Sequence, residues 1–300
     1  MGGRYWVETL GCPKNQVDSD KLVGTLRADG LTEASAPEDA DLVVVNTCAF
    51  IEDAREESVD TILALSERRR DGAELVVTGC LAERSGPELA EAMPEVDAVR
   101  GFGVPVTLGR KPDAAARPAF DLLELPRPAA TAPWAYVKVA EGCDRACGFC
   151  AIPSFRGPQR SRSIESILDE IEALEVQEVV LVAQDLARFG LDQGVGERSI
   201  APLVDGAARR VARVRLLYLY PSDLTDALVD AVLATDVPYF DLSLQHVSRP
   251  LLRRMRRWGE GSVFLDRIER IRSIEPTAAF RSNFIVGYPG ETEEDHDALL

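Results

Sequence analysis

Residues 135–150 read AYVKVAEGCDRACGFC, in which a short, mostly apolar run leads into a loop with three cysteines. The run predicts a β-strand, and Cys143, Cys147 and Cys150 follow it with the spacing Cys-x3-Cys-x2-Cys. Thiolates are the usual protein ligands of iron–sulfur clusters, and three of them this close can hold three corners of a [4Fe–4S] cube. The loop therefore predicts a cluster whose fourth iron has no protein ligand.

An open metal position is where catalysis occurs in metal sites generally, and the amino and carboxylate groups of S-adenosylmethionine (SAM) can fill it. An electron from the cluster would then break a sulfur–carbon bond of SAM and release a radical that removes hydrogen from an unactivated carbon. The alternative is a zinc site, which requires four ligands. The chain has two histidines, of which His246 follows a later predicted strand and could complete such a site.

Strands and helices alternate from this loop to the last residue. Apolar runs predict five strands, at 135–139, 178–182, 214–220, 239–244 and 280–286. Helical periodicity predicts helices between and after them, at 164–174, 199–212, 224–233, 249–256 and 264–273. The alternation indicates a partial (β/α) barrel over residues 133–300, with its reactive groups at the carboxyl ends of the strands. Thr292 is placed to cap one more helix near the end of the sequence.

The first hundred residues alternate in the same way. Apolar runs predict buried parallel strands at 5–10, 42–45, 75–77 and 96–99. Helical patterns lie between them, at 18–28, 53–69 and 83–92. This order indicates a doubly wound, flavodoxin-like α/β domain over residues 1–103. Residues 104–132, rich in Pro and Ala, predict a linker that partly packs on the surface.

The remaining cysteines, Cys12, Cys48 and Cys80, each follow one of these predicted strands. They are 36 and 32 residues apart, about one βα unit each, so a parallel sheet would gather them at one carboxyl edge. Gly11 and Gly79 would let the backbone approach a bulky group there. A single cysteine in such a place is usually a small core residue, but three in register favour a second three-thiolate cluster.

The amino-acid composition limits the classes of molecule that this chain is expected to bind. Of 300 residues, 34 are Lys or Arg and 50 are Asp or Glu, a formal charge of −16, which disfavours general binding to nucleic acid or an anionic membrane. The first residues do not have the order of a signal peptide, and no apolar run approaches the length of a membrane span. These features predict a cytoplasmic location, where six cysteines are expected to be ligands or catalysts before disulfides.

An α/β domain with three dispersed cysteines, followed by a radical SAM loop, resembles the methylthiotransferase family of the radical SAM superfamily. The resemblance covers nearly the whole chain, and the strings that carry it are LGCPKNQVDSD at 10–20, CAIPSFRGPQRSRS at 150–163, LYLYPSDLTDALVDAV at 217–232, DLSLQHVSRPLLRRMRR at 241–257 and NFIVGYPGETEED at 283–295. The resemblance implies two [4Fe–4S] clusters, two SAM molecules per reaction and an electron donor. It also implies a later barrel segment and a C-terminal substrate-binding TRAM domain; 300 residues leave no room for either, so we expect the sequence to stop short of both.

These strings resemble members that modify the β-carbon of an aspartate in ribosomal small-subunit protein twelve. The acidic balance of the chain is consistent with a basic partner of that kind. The alternative is a relative that modifies adenosine in tRNA, in which a Gln-Met-Asn string typically follows the first cysteine. Here Pro13, Lys14 and Asn15 occupy those positions.

The resemblance places Phe149 near the adenine of SAM. Gln184, Asp185 and Gln245 lie at predicted strand ends, and Arg281 lies within the last predicted strand. Their polar groups could hold the ribose, amine and carboxylate by hydrogen bonds, or else cap loops and support other residues. Arg156, Arg160 and Arg162 follow the cluster loop and could attract an acidic group, although arginines in such positions are commonly solvated.

Overall fold

The computed structural model describes residues 2–109, 121–194 and 198–300. Its backbone divides into two units. The first comprises residues 1–129 together with the short segment Ser154–Arg156, and the second comprises Ala130–Pro153 and Gly157–Leu300. The prediction of a doubly wound domain followed by a partial (β/α) barrel is confirmed.

The first unit is built on a five-stranded parallel sheet with the order β2-β1-β3-β4-β5, which is the flavodoxin-like order. Its strands are β1 (Arg4–Thr9), β2 (Thr32–Glu33), β3 (Leu42–Thr47), β4 (Glu74–Gly79) and β5 (Ala98–Val99). Its helices are α1 (Pro13–Ala28), α2 (Glu52–Arg68) and α3 (Cys80–Ala92).

Both faces of the central strand β3 are buried, which explains its continuous apolar sequence. Val43 and Val45 pack on one side with the apolar residues of α2 and α3. Leu42 and Val44 pack on the other side with those of α1. Because successive side chains point to opposite faces of a sheet, one run of apolar residues supplies two cores.

Two details of this unit differ from the sequence prediction. Helix α1 begins at Pro13, five residues before the predicted start, because proline is well suited to the first turn of a helix and Cys12 precedes it in an extended conformation. The short edge strand β2 carries no apolar signal, since both of its residues are exposed.

The region predicted as a linker is described only in part, because residues 110–120 lie outside the described residues. Beyond them, a turn at Leu122–Glu124 buries Leu123. The carbonyl oxygen of Leu123 accepts a hydrogen bond from the ammonium of the buried Lys21, at 2.6 Å. The chain therefore packs against α1 at this point.

The second unit contains strands and helices in alternation. Its strands are β6 (Trp134–Lys138), β7 (Ala140–Glu141), β8 (Arg160–Ser161), β9 (Glu178–Val182), β10 (Arg213–Leu216), β11 (Tyr239–Gln245) and β12 (Ala279–Phe284). Its helices are α5 (Ile164–Ala173), α6 (Ile200–Ala208), α7 (Asp226–Leu233), α8 (Arg249–Arg254), α9 (Gly261–Ile274) and α10 (Glu293–Leu299). A further short helix, α4 (Ile152–Arg156), begins in this unit and ends in the segment that belongs to the first.

The barrel strands are parallel. They form the sheets β10-β9-β6 and β11-β12, which an isolated bridge between Leu219 and Leu242 connects. One face of the strands, with Val137 and Leu181, packs under the helices, whereas the opposite face carries a smaller cluster that includes Val180. The two clusters form because a barrel strand presents alternate residues to its interior and to its helix layer.

Strand β10 ends at Leu216, four residues before the predicted end. Tyr218 has a φ of +67°, a left-handed conformation that interrupts the regular extended backbone. At the far end of the unit, Thr292 caps α10 in a capping box with Asp295, as its position in the sequence predicted. No helix within residues 2–109, 121–194 and 198–300 is both long and apolar enough to cross a membrane.

Candidate metal centres

The three cysteines of the first unit lie at one edge of its sheet. Cys12 lies between β1 and α1, Cys48 follows β3, and Cys80 begins α3 directly after β4. These strands are parallel neighbours, so their carboxyl ends meet at the same edge. The backbone at Gly11 packs closely against Cys48, since a Cβ built on Gly11 would lie 2.9 Å from the Cys48 Sγ.

Asn15 connects the segments that carry these cysteines. Its Nδ2 donates to the carbonyl oxygens of Leu10, at 3.0 Å, and Thr47, at 2.9 Å. Its Oδ1 accepts from the Cys80 thiol at 3.6 Å. The side chain is fully buried, so one amide fixes the relative positions of three strand ends.

Arg156 supplies a positive charge beside Cys80. Its Nη2 donates to the Cys80 Sγ at 3.1 Å and to the Asn15 Oδ1 at 2.8 Å, and the guanidinium also bonds Asp18 at 3.3 Å. The guanidinium stacks on Phe102, 4.3 Å from the ring centroid. Of the two expectations for this arginine, attraction of an acidic group agrees with the ion pair to Asp18, whereas a solvated side chain does not, because Arg156 is 7% exposed.

The surroundings of the Cys12 thiol lower its pKa. Burial alone would raise its pKa, but the Lys14 ammonium, the backbone N–H groups of Lys14 and Asn15, and the Arg156 guanidinium together outweigh burial. The pKa of Cys12 therefore lies below its ordinary value. A lowered pKa favours the thiolate, which is the form that binds metal.

Burial raises the pKa of both Cys48 and Cys80, although backbone N–H groups oppose it at Cys48 and Arg156 opposes it at Cys80. A negative charge on Cys12 raises the pKa of Cys48 further, and negative charges on Cys12 and Cys48 do the same for Cys80. Three sulfurs gathered at one edge, with N–H and guanidinium donors directed at them, fit the ligand set of a three-thiolate cluster. Bound iron would supply the positive charge that holds all three thiols deprotonated.

The other three cysteines occupy the loop between β7 and α4 of the second unit. The Cys143 N–H donates to the Gly157 oxygen at 3.0 Å, and the Cys143 Sγ accepts from the Arg145 N–H at 3.4 Å. A turn links Cys150 to Cys147, with the amide of the first 3.1 Å from the carbonyl oxygen of the second. None of the six cysteines of the chain, all of which lie among the described residues, forms a disulfide.

Arg145 anchors the first half of this loop. Its Nε donates to the Asp185 Oδ2 at 2.6 Å, and its Nη2 pairs with Asp223. Asp185 and Asp223 are buried. Burial raises the pKa of the Cys143 thiol to about 11, with the nearby Asp185 carboxylate acting in the same direction and the Arg145 N–H against it. Metal binding must therefore displace a proton that is held firmly at neutral pH.

Gln184 and Asp185 follow β9 and lie beside the loop. The Gln184 Nε2 donates to the Glu141 Oε1 at 2.7 Å, and the Glu141 Oε2 accepts from the fully buried Lys138 at 2.7 Å. The Gln184 Oε1 and the Asp185 Oδ1 are buried and accept no hydrogen bond from the described residues. Buried polar atoms normally have partners, so these two oxygens fit the amino and hydroxyl donors of a bound SAM.

The structure gives less direct support for the other side chains that were predicted to contact SAM. Phe149 packs on the apolar core beneath the helices. Gln245 ends β11 with a φ of +72°. Arg281 donates to the buried Asp241 at 3.0 Å, and both lie three residues into their strands rather than at the strand ends. The Arg281 guanidinium is therefore held by a carboxylate of the neighbouring strand.

The donors that a zinc site would need do not converge. Within the described residues, no three His, Cys, Asp or Glu side chains are grouped so that they could bind a single metal ion. His246 is fully buried, its Nδ1 accepts from the Ser248 N–H at 3.0 Å, and its Nε2 lies 3.4 Å from the Glu291 carboxylate. A cluster differs from a zinc site in that its thiolates bind separate iron atoms.

Sequence reasoning did not single out several residues around the two sites. Asn15 and Glu141 are close to cysteines in the sequence, but nothing in the local pattern marks them as structural supports. Arg162, by contrast, was a candidate from the sequence. It pairs with Glu170 and bonds the Lys138 oxygen at 3.2 Å, which agrees with the expectation of an acidic partner; the expectation of a solvated side chain is wrong, because Arg162 is 3% exposed.

Two family models match the chain. Residues 4–101 match a family described as "Uncharacterized protein family UPF0004". Residues 137–300 match the radical SAM superfamily. The two matched segments follow one another along the chain. Three of the six cysteines lie in the first segment and three in the second.

The chain is also similar to whole curated proteins, each named "Ribosomal protein uS12 methylthiotransferase RimO". It is 41% identical to that of Kineococcus radiotolerans, over 97% of this chain and 70% of the relative. It is 44% identical to that of Moorella thermoacetica (99% and 72%) and 45% identical to that of Anaeromyxobacter sp. strain K (100% and 68%).

Among solved structures, the chain resembles the cobalamin-dependent SAM radical enzyme OxsB, described with aqua-cobalamin and SAM bound. The TM-score is 0.61 and the sequence identity 12%; the match covers 99% of this chain and about half, 51%, of that enzyme. This likeness shows the fold alone. The relatives and the two family models together show that the chain belongs to the uS12 methylthiotransferase (RimO) family of radical SAM enzymes.

Proposed function

We propose that this chain adds a methylthio group to the β-carbon of an aspartate in ribosomal protein uS12, in the cytoplasm, with electrons from a separate donor. Enzymes of this family use SAM and iron–sulfur clusters. The observation that carries the proposal is the presence of two three-cysteine sets in one chain. One lies at the sheet edge of the first unit, and the other lies in a barrel loop of the second.

The proposal assigns a separate task to each set. Residues 1–103 form the methylthiotransferase domain, in which Cys12, Cys48 and Cys80 hold the auxiliary cluster associated with sulfur. Residues 104–132 form a linker, and residues 133–300 form the radical SAM domain. There, Cys143, Cys147 and Cys150 hold the cluster that binds SAM. Each set has three thiolates for a four-iron cube, which leaves one iron for an exogenous ligand.

When bound, a [4Fe–4S] cluster supplies the electron that cleaves SAM to a deoxyadenosyl radical. The chain's own residues orient the reactants. Asp185 and Asp223 hold Arg145, and with it the first half of the cysteine loop. Gln184 and Asp185 each have a buried oxygen without a hydrogen-bond partner among the described residues, and these oxygens would accept hydrogen bonds from a bound SAM. The auxiliary cluster held by Cys12, Cys48 and Cys80 would supply the methylthio sulfur for the new carbon–sulfur bond. It would also take up the one electron left over when the aspartate β-carbon gives a hydrogen atom to the deoxyadenosyl group.

The test compares the intact chain with two triple variants after anaerobic reconstitution. The intact chain is expected to bind about eight irons, and Cys12/Cys48/Cys80→Ala about four, counting one cube per set. That variant should still cleave SAM under dithionite, because its radical loop is intact. The matched variant Cys143/Cys147/Cys150→Ala should also retain about four irons but should not cleave SAM. Neither variant should methylthiolate purified uS12, as read by mass spectrometry.

Three outcomes would contradict the proposal. The intact chain could methylthiolate tRNA and leave uS12 unmodified, which would assign it the other substrate class. It could bind zinc with no acid-labile sulfide, which would indicate a zinc module. The first triple variant could retain all of its iron, which would mean that Cys12, Cys48 and Cys80 hold no cluster.

A further inference from the structure

The second half of the radical SAM loop is anchored by the segment that follows α8. The Gly148 N–H donates to the Met255 oxygen at 2.9 Å. Two residues further on, Arg257 Nη1 donates to the Cys147 Sγ at 3.5 Å, and its Nη2 bonds the Ser243 oxygen. Arg257 is therefore the side chain that connects this segment to a predicted cluster ligand.

Tyr220 fixes the guanidinium of Arg257. The Arg257 Cζ lies 3.9 Å from the centre of the Tyr220 ring, and the Arg145 Cζ lies 3.8 Å from the same centre. Two guanidinium groups so close to one ring centre would overlap on a single face, so the ring separates them. Tyr220 is buried and its hydroxyl accepts from the Trp258 N–H at 3.4 Å, so the ring is itself held in place.

The two arginines differ in how their charge is balanced. Arg145 is paired with the carboxylates of Asp185 and Asp223. Within the described part of the chain, no carboxylate forms an ion pair with Arg257. The positive charge of Arg257 is thus directed at the sulfur of Cys147 rather than at a carboxylate within 4.0 Å, and charge that is partly buried is weakly screened.

We propose that Arg257, held against Tyr220, is a positioning residue of the radical SAM site that orients Cys147 and favours the reduced form of the cluster bound there. The inference rests on the proposed function only in that a cluster occupies this cysteine set. The reduced cluster carries one more negative charge, and a cation with a hydrogen bond to a ligand sulfur stabilises that state. Hydrogen bonds to the sulfurs and net charge are established determinants of cluster potential.

The test measures the midpoint potential of the radical SAM cluster by a redox titration followed by electron paramagnetic resonance, without SAM or substrate. The full-length chain carries Cys12/Cys48/Cys80→Ala, so that one cluster is observed. Arg257→Gln is expected to make reduction roughly tenfold less favourable, a shift of about 59 mV to more negative potential for one electron. Arg257→Lys, which keeps the charge, should shift it less. The control Arg253→Gln removes the same charge from an exposed side chain of α8 and should leave the potential unchanged.

Equal potentials for Arg257→Gln and Arg253→Gln would overturn the proposal. If Arg257→Gln binds no iron, the same potential is measured for Tyr220→Leu and Tyr220→Phe instead. Tyr220→Leu removes the ring that holds Arg257 and should lower the potential of the cluster, whereas Tyr220→Phe keeps the ring and should not. Equal potentials for Tyr220→Leu and Tyr220→Phe would also overturn the proposal. Failure of the proposed function would appear separately, as an intact chain that leaves uS12 unmodified, because the potential is measured without that protein.

Discussion

At the scale of single residues, two buried polar side chains organise the first cysteine set. Asn15 bonds two strand ends and the Cys80 thiol. Arg156 reaches Asn15 from 141 residues further along the chain. Both are buried, and buried polar groups of this kind tolerate the loss of a partner poorly. We infer that the geometry of the cysteines depends on these two residues.

Arg156→Met is expected to destabilise the first unit by about 3 kcal/mol or more, because it removes one member of a buried ion pair with Asp18 and leaves the other member in place. The matched control Arg68→Met breaks a half-exposed pair with Glu38 and should cost much less, because exposed ion pairs contribute little to stability. The measurement is native-state amide hydrogen exchange at β3 and β4, which reports local unfolding of this unit. Equal exchange in the two variants would contradict the prediction.

At the scale of elements, the turn from strand to helix sets the position of each dispersed cysteine. At the turn from β4 to α3, Gly79 has a φ of +92°, and a Cβ there would lie 2.3 Å from the Asn46 Oδ1 and 2.6 Å from the Thr47 amide nitrogen. The sequence suggested that the glycines make room for a bulky cluster. The structure shows that at Gly79 the neighbouring strand β3 itself occupies the space.

Gly79→Ala is therefore expected to destabilise the first unit more than Gly72→Ala does. Gly72 also has a positive φ, +80°, but a Cβ there would meet nothing within 4 Å, so its cost is backbone strain alone, about 1–3 kcal/mol. Gly79→Ala adds overpacking, roughly a further 1–3 kcal/mol. Hydrogen exchange at β3 measures the difference, and iron content after reconstitution should fall only for Gly79→Ala. A similar cost for both substitutions would show that crowding at this turn is unimportant.

At the scale of the whole molecule, the formal charge of −16 bears on the proposed partner. A basic uS12 would carry a charge complementary to that of this acidic chain. Such complementarity speeds association more than it strengthens the final complex. Because exposed charges are screened over about 8 Å at physiological ionic strength, the effect should depend on salt.

The kcat/KM for methylthiolation of uS12 is expected to fall several-fold when salt rises from about 0.05 M to about 0.5 M, because steering by net charge weakens as the Debye length shortens. The control is the rate of SAM cleavage under dithionite in the absence of uS12, which should change much less. If both rates respond to salt equally, the charge of the chain does not steer the substrate.

Amino-acid patterns alone were enough to assign the class of each half of the protein. Runs of apolar residues located the longer strands of the described segments, because a strand that is buried on both faces, such as β3, needs apolar side chains throughout. The two cysteine patterns located the candidate ligands. The sequence did not reveal the edge strand β2, since its residues are exposed and carry no apolar signal.

Only the tertiary structure decided which polar side chains support the cysteines. Asn15, Arg156 and Arg257 bond groups that are distant in sequence, and their partners are defined only once the strands and loops have been brought together. The physical reason is that burial of apolar residues follows a short-range repeat, whereas a hydrogen bond or an ion pair needs two particular groups within a few ångströms. A local pattern can therefore predict an element, but the partner of a buried charge is fixed by the fold.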